Sequence, residues 1–490
     1  MCVWDGMRPD FITPENTPVL HALGVRGTVF AANHSSYVTT TEVNGTVLAT
    51  GMFPARSGII GNREYRPEIN LMKPFATEGA ATVRLADALY EGRYIDALTV
   101  AELVQKAGFR TAVAGTKAIG LLHDRNWNRA EKNGSVVLFA GKTYPEKFAD
   151  TLTAGLGKWP ELPDTTDILN TLPNTAQNVW TTRAVTEFLW RDGVPKFSVL
   201  WLGDPDFSQH LTAPGSATAL TAIHDCDTNL GLVLDALKAK GAADRTDVFV
   251  VSDHGFSTIT RVVDVAAILK KAGIDAVREH RMTPAPGSVL VVNVGGTTGL
   301  YVTGREAGVI QKCVDVIEGG DFAGPIFTKD ALPGTFALAL AHLDSQFAPD
   351  VVFSFRWSAK ANQWGTAGTM VGDAKRPGGG THGTLGPTDI HNTLIAAGPD
   401  IRAGFKDTLP TGNIDVAPTI LRLLGIAPPE ARDGRVLAEA LTFSPPPAAK
   451  PETKRIEAAR PIGGATWRQY LQTTTLGGAV YFDEGNAETK

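Results

Sequence analysis

Residues 247–255 read DVFVVSDHG: an apolar run of strand length that stops at an Asp-His pair before a glycine. Outward from it the same grammar recurs. TVFAANHS (28–35), TAVAG (111–115), FSVLWLG (197–203) and VVFSF (351–355) read as short strands rich in β-branched and aromatic residues. Between them VAELVQKAG (100–108), NVWTTRAVTEFLW (178–190) and residues 217–240 carry apolar residues at helical spacing and end near glycine. Strands alternating with helices predict an α/β fold, a mostly parallel sheet sandwiched by helices, with inserted cap regions. Such sheets collect reactive residues beyond the C-terminal ends of their strands.

Asp and His stand at those ends. Asp5 closes CVW; Asp206 and His210 follow FSVLWLG in GDPDFSQH; Asp253 and His254 follow VFVVS; His382 follows a glycine run in RPGGGTHGTLG. Three Asp and three His without Cys suit two zinc-like divalent ions rather than one, since a single zinc is filled by three or four ligands. Two adjacent metals can clamp the attacking and leaving oxygens of a displacement at phosphorus. Singly, each of these residues has an ordinary reading as a turn former or a satisfied polar group. Their joint placement carries the inference.

A nucleophile is sought in SSYVTTTEVNGTVLATG (35–51). Thr41 reads as a helix start, where free amides and the positive dipole end favour an oxyanion. A threonine hydroxyl needs activation, which a metal supplies. Asn44, one turn along, could turn its amide to the same phosphoryl oxygen. The competing reading makes Thr41 an N-cap and Asn44-Gly45-Thr46 a glycosylation sequon, and spacing does not choose.

Taken together, WDGMRPD (4–10), TEVNGTVLATGMFPARSGIIGN (41–62), DPDFSQH (204–210), SDHGF (252–256), THG (381–383) and IDVAPTILRLLGIAPPEARDGRVL (414–437) resemble the alkaline phosphatase superfamily. The resemblance is closest to its nucleotide pyrophosphatase/phosphodiesterase (type I phosphodiesterase) branch and covers roughly residues 1–440. It implies an alkaline-phosphatase-like core and a metal-dependent hydrolase of phosphodiester or pyrophosphate bonds, with Thr41 as nucleophile, a phospho-threonine intermediate and Asn44 on the phosphoryl oxygen. It implies two divalent ions, zinc, one on Asp5, Thr41, Asp253 and His254 and the other on Asp206, His210 and His382. It departs at Glu42-Val43-Asn44-Gly45, where the branch has an aromatic-Pro-Asn-His run, which weakens the case for a nucleotide in particular. A phosphomonoesterase or phosphonate hydrolase uses the same two-metal core. A sulfatase lacks support, because no Cys/Ser-x-Pro-x-Arg sequence occurs; a binding-only relative would have lost a ligand; a mutase calls for a different nucleophile context.

The remaining sequence bounds this reading. The chain has 490 residues, 46 Lys plus Arg against 51 Asp plus Glu and a net charge of −5, so it has no basic footprint for bulk nucleic acid. No apolar run approaches the ~18 residues of a membrane span, and three scattered cysteines exclude a disulfide framework. The expected partner is a small phosphoester, a nucleotide being one form of it. The organisation expected is a catalytic core of 1–255 and 376–440, an inserted cap or substrate region of 256–375, and a Pro-rich linker with a short terminal segment at 441–490. The run before Asp5 is short for a buried strand of ~5–6 residues. It leads to the expectation of an upstream continuation bearing an export signal, with a periplasmic or secreted protein.

Overall fold

A computed structural model describes residues 1–127, 134–161, 174–373 and 376–489. Its centre is a nine-stranded sheet in the order 405–412, 28–34, 394–397, 248–251, 2–4, 197–202, 111–115, 136–139, 142–144. The strands at 394–397 and 142–144 run against their neighbours, and the others are paired in parallel. The expected mostly parallel sheet is thus present, and the chain's first strand, Cys2–Trp4, lies in its middle.

Alternation along these strands feeds two cores. Val3, Trp201 and Val251 pack on one face with the helices Thr41–Thr50, Val100–Lys106 and Asn413–Leu424. Cys2, Trp4, Leu200 and Leu202 pack on the other with Pro18–Arg26 and Ala217–Ala239. Residues 178–190 are helical as read, but Ala184–Leu189 is wound as a π-helix. The helix Val265–Lys271 begins only after residues 257–263, which pair as a strand with 367–373 and 380–381.

Residues 256–373 build a four-stranded sheet, shared with 380–381, and a six-stranded sheet over the helix Ala307–Glu318. The expected cap boundary at 375/376 adjoins residues 374–375, which lie outside the described residues. The stretch expected to be a linker and short terminal segment forms three long strands, Glu452–Ile462, Ala465–Leu476 and Ala479–Thr489. The alternation that builds them is partial, because many inward positions are Thr, Gln or Gly. Trp467, fully buried, joins the core around Val291 and Phe353, while Leu471, Tyr481 and Phe482 pack with Val43 and Val47 of the helix Thr41–Thr50. Trp467→Ala is expected to cost about 3–5 kcal/mol, measured by urea unfolding; a loss under about 1 kcal/mol would show that this sheet is not part of the cooperative core. No helix among the described residues is long and apolar enough to cross a membrane.

Candidate active site and metal centre

Three neighbouring strands of the parallel sheet end at one place. Asp5 ends Cys2–Trp4, Asp206 begins the helix Asp206–Thr212 beyond Phe197–Leu202, and Asp253 and His254 follow Val248–Val251. Gly6 makes the turn after Asp5: its φ is +72°, and a Cβ there would stand 2.9 Å from Phe256 Cδ2 and 3.2 Å from Asp206 Cβ. Its amide donates to Asp253 Oδ1 at 3.0 Å, so the turn itself orients a second carboxylate. His382 is carried by the loop after 380–381, pinned where Thr384 N–H and Oγ1 donate to Asp389 Oδ2 at 2.9 and 2.6 Å.

The three imidazoles are oriented alike. His210 Nδ1 donates to Gly380 O, His254 Nδ1 to Gly255 O and His382 Nδ1 to Thr39 O, each at 2.9 Å. A carbonyl only accepts, so Nδ1 carries the proton and Nε2 presents a lone pair to the site. Burial pushes the His254 and His382 imidazoles down to about 3, so both are neutral. Their rings stack at 3.6 Å between centroids.

These lone pairs face carboxylate oxygens. Asp206 Oδ1 lies 3.2 Å from His210 Nε2 and 3.3 Å from His382 Nε2; His254 Nε2 lies 3.2 Å from Asp253 Oδ2 and 3.6 Å from Asp5 Oδ1. Asp5 Oδ1, Asp206 Oδ1 and Asp253 Oδ2 are buried without a hydrogen-bond donor. Burial pushes Asp253 up to about 6 and, with Asp253 and Asp206 beside it, raises Asp5 well above the ordinary carboxylate range. Acceptors packed against acceptors out of water are costly unless a cation joins them. The donor set fits divalent metal. Two groups, Asp206–His210–His382 and Asp5–Asp206–His254, each bring their ligand atoms within 4.8 Å of one another.

Thr41 is the first residue of the helix Thr41–Thr50, and the N-cap is Thr40. Thr41 Oγ1 is thereby free of capping duty and sits 3.3 Å from His254 Nε2. Thr39 Oγ1 instead donates to the Thr384 carbonyl at 2.9 Å. All seven residues expected around metal therefore meet in one place, with Asp206 shared between the two groups.

Asn44 does not join them. Its Oδ1 accepts from Ser36 N at 2.7 Å and Asn413 Nδ2 at 3.2 Å, and its Nδ2 donates to the Ser36, Val38 and Thr40 carbonyls. Fully buried and fully bonded, it has no group left for a phosphoryl oxygen and is no glycan acceptor. The carboxamide at the site is Asn62. Its Oδ1 accepts from Glu42 N–H at 3.2 Å, its Nδ2 has no partner among the described residues, and it lines a cavity of about 570 Å³ with His210 and His382. Asn62 closes the quoted stretch 41–62, and a polar residue ending that loop was the available signal. His391 packs against His34 with ring centroids 4.6 Å apart and planes tilted by 55°.

Lys117 was also missed. It follows the strand Thr111–Gly115, and its Nζ donates to Asp5 Oδ2 at 2.8 Å and Asp206 Oδ2 at 2.7 Å. Glu42 is buried with Oε2 unpartnered, and burial together with Glu78 raises its carboxyl well above the usual range.

A family model described as type I phosphodiesterase / nucleotide pyrophosphatase matches residues 2–384. Mouse ectonucleotide pyrophosphatase/phosphodiesterase family member 1 is 24% identical over 253 residues, 51% of this chain and 23% of its own length. Human family member 7 is 24% identical over 242 residues, 48% of this chain and 47% of its own. Venom phosphodiesterase 2 of Crotalus adamanteus is 24% identical over 262 residues, 52% of this chain and 26% of its own. The matches thus span about half or less of these relatives. The solved structure of murine ectonucleotide pyrophosphatase/phosphodiesterase 5, an inactive variant in complex with AMP, superposes with a TM-score of 0.59 at 16% identity, covering 90% of this chain and 98% of that one. The fold is therefore shared, and the match along residues 2–384 shows that the chain belongs to the type I phosphodiesterase / nucleotide pyrophosphatase family.

Proposed function

We propose that the protein hydrolyses phosphodiester or pyrophosphate bonds of small molecules, with Thr41 as nucleophile and a phospho-threonine intermediate. The observation that carries this reading is Thr41 Oγ1 at a helix N-terminus, 3.3 Å from His254 Nε2 and at the rim of a buried Asp/His cluster whose carboxylate oxygens lack donors. Asp5, Thr41, Asp253 and His254 would hold one divalent ion, and Asp206, His210 and His382 a second, zinc being what the resemblance implies. When bound, such ions supply Lewis-acid polarisation of the phosphoryl oxygens and lower the pKa of an oxygen nucleophile.

The chain's own residues do the rest. With the His254 lone pair committed to an ion, the Thr41 hydroxyl would give its proton to solvent. Oγ1 forms the bond to phosphorus as the bond to the leaving oxygen breaks, and that oxygen departs with the electron pair. Water then attacks the phospho-threonine, returning Oγ1. Two in-line displacements give net retention at phosphorus. Asn62 Nδ2 donates to a phosphoryl oxygen, its carboxamide held by the Glu42 amide. Asn44 positions the nucleophile loop: Asn413 donates both to Asn44 Oδ1 and, at 2.7 Å, to the Asp253 carbonyl.

This division predicts two distinct phenotypes. Asn62→Ala is expected to lower kcat about 10²–10³-fold with the unfolding midpoint unchanged. Asn44→Ala is expected to cost about 2–4 kcal/mol in chemical unfolding, because it strands several buried backbone groups. The reverse pattern would return the phosphoryl contact to Asn44.

The cavity favours a second reading of the substrate. Beyond the histidines its walls include Asn62, Arg63, Arg278, Glu279 and the 291–295 segment, and among the described residues no Phe, Tyr or Trp lines it. A compact polar leaving group, as in a phosphomonoester or phosphonate, suits such walls better than a stacked base. A paired assay decides: nitrophenyl phosphodiester, phosphate and sulfate with zinc-loaded protein. Diester preference upholds the first reading, monoester preference the second, and no turnover of any of them with zinc bound overturns both. The relatives' names, ecto- and venom enzymes, support a periplasmic or secreted location.

A further inference from the structure

Lys117 divides two carboxylates between two tasks. Its ammonium meets Asp5 Oδ2 and Asp206 Oδ2 at 2.8 and 2.7 Å, and Trp201 Nε1 adds a donor to the same Asp5 oxygen at 3.0 Å. The Oδ1 atoms are the ones left without donors. Those same Oδ1 atoms face imidazole: Asp206 Oδ1 approaches His210 and His382, and Asp5 Oδ1 approaches His254. One cation therefore spans carboxylates from two different strands, and Asp206 belongs to both ligand groups.

We propose that Lys117 is a positioning residue of the metal centre: by holding Oδ2 of Asp5 and Asp206 together, it presents each as a one-oxygen ligand and sets the two metal positions jointly. This rests on the metal reading given above. Three features support it. The ammonium sits on the oxygens turned away from the imidazoles, so it does not occupy the space that the lone pairs enclose. An ammonium has three donors, and two suffice for this bridge. The neighbouring strand brings the lysine to the carboxylates, and its side chain is 26% exposed, so the charge is only partly desolvated. Groups that orient metal ligands in this way commonly govern affinity about 10–100-fold.

The test compares wild-type protein, Lys117→Met, Lys117→Arg and Asp206→Asn. Zinc affinity is measured by competition with a chromophoric chelator, and coordination by the visible absorption of the cobalt(II)-substituted protein. Lys117→Met is expected to bind zinc about 10–100-fold more weakly. Its cobalt absorption is expected to weaken, because the released Oδ2 atoms raise the coordination number. Lys117→Arg, which keeps a cation against both oxygens, is expected to preserve the wild-type cobalt spectrum and to test the idea even if Lys117→Met does not fold. Unchanged or tighter zinc binding in Lys117→Met would overturn the proposal and make the lysine a competitor for the cation. So would an arginine variant as impaired as the methionine one. If wild-type protein takes up no zinc, the metal reading fails and this proposal with it. If wild-type binds, Asp206→Asn does not and Lys117→Met binds normally, only the role of Lys117 fails.

Discussion

Thr41→Ala is expected to lower turnover of the preferred nitrophenyl substrate by about 10³-fold or more, because without the hydroxyl no covalent intermediate can form. The fold should be indifferent to the change. Thr41 Oγ1 makes its contact with His254, and the helix behind it is anchored by Val43 and Val47 in the core with Phe327 and Tyr481. Alanine is also the better helix former. Thr41→Ser keeps the oxygen and is expected to stay within about tenfold of wild type. The companion measurement is stereochemical, on a substrate chiral at phosphorus, where two displacements demand retention. An alanine variant keeping a tenth of wild-type activity, or net inversion, would remove the threonine from the chemistry.

Asp206→Asn should produce the largest change in metal response. Asp206 is the one carboxylate in both ligand groups, and its Oδ1 lies within 3.3 Å of two imidazoles. At a free metal concentration of a thousand times Kd, one bound ion stabilises the folded state by about 4 kcal/mol. That gain should appear in wild-type protein as a rise in Tm on adding zinc. It should disappear in Asp206→Asn, along with activity. The comparison is made within each protein, loaded against metal-free, so the intrinsic cost of the substitution cancels. A variant that still gains Tm with zinc as wild type does would show that Asp206 is not a metal ligand.

Much of this site was legible because a parallel sheet makes it so. Asp5, Asp206, Asp253 and His254 each end or follow a short apolar strand, and the strand runs are visible without knowing their partners. His382 needed its glycine setting, and Thr41 its helix start. The residues that were missed or misread obey longer-range physics. Lys117 follows a strand end too, yet lysine at such a place is unremarked until Asp5 and Asp206 are found on either side of it. Asn44, one turn along from Thr41, reads as free to reach the same phosphoryl oxygen, whereas the preceding loop folds over it and absorbs its hydrogen bonds. Asn62 points into the cavity only because its loop returns to the Glu42 amide. In the C-terminal strands, polar residues such as Gln469 bond to backbone of the neighbouring sheet, at Ile326 N–H, so the pattern reads as surface.

The placement of Cys2–Trp4 between Phe197–Leu202 and Val248–Val251 has a bearing on how the molecule is made. The central slot of the sheet is filled by residues 2–4, and both of its neighbours, near residues 200 and 250, are synthesised far later. Until they emerge, residues 2–4 have no ladder to join, and afterwards two apolar strand edges stand open until that segment is threaded between them. Pairings of such high contact order are slow to form. A chain waiting on that closure is exposed to edge-to-edge association, and lower temperature during expression is expected to raise the yield of folded protein.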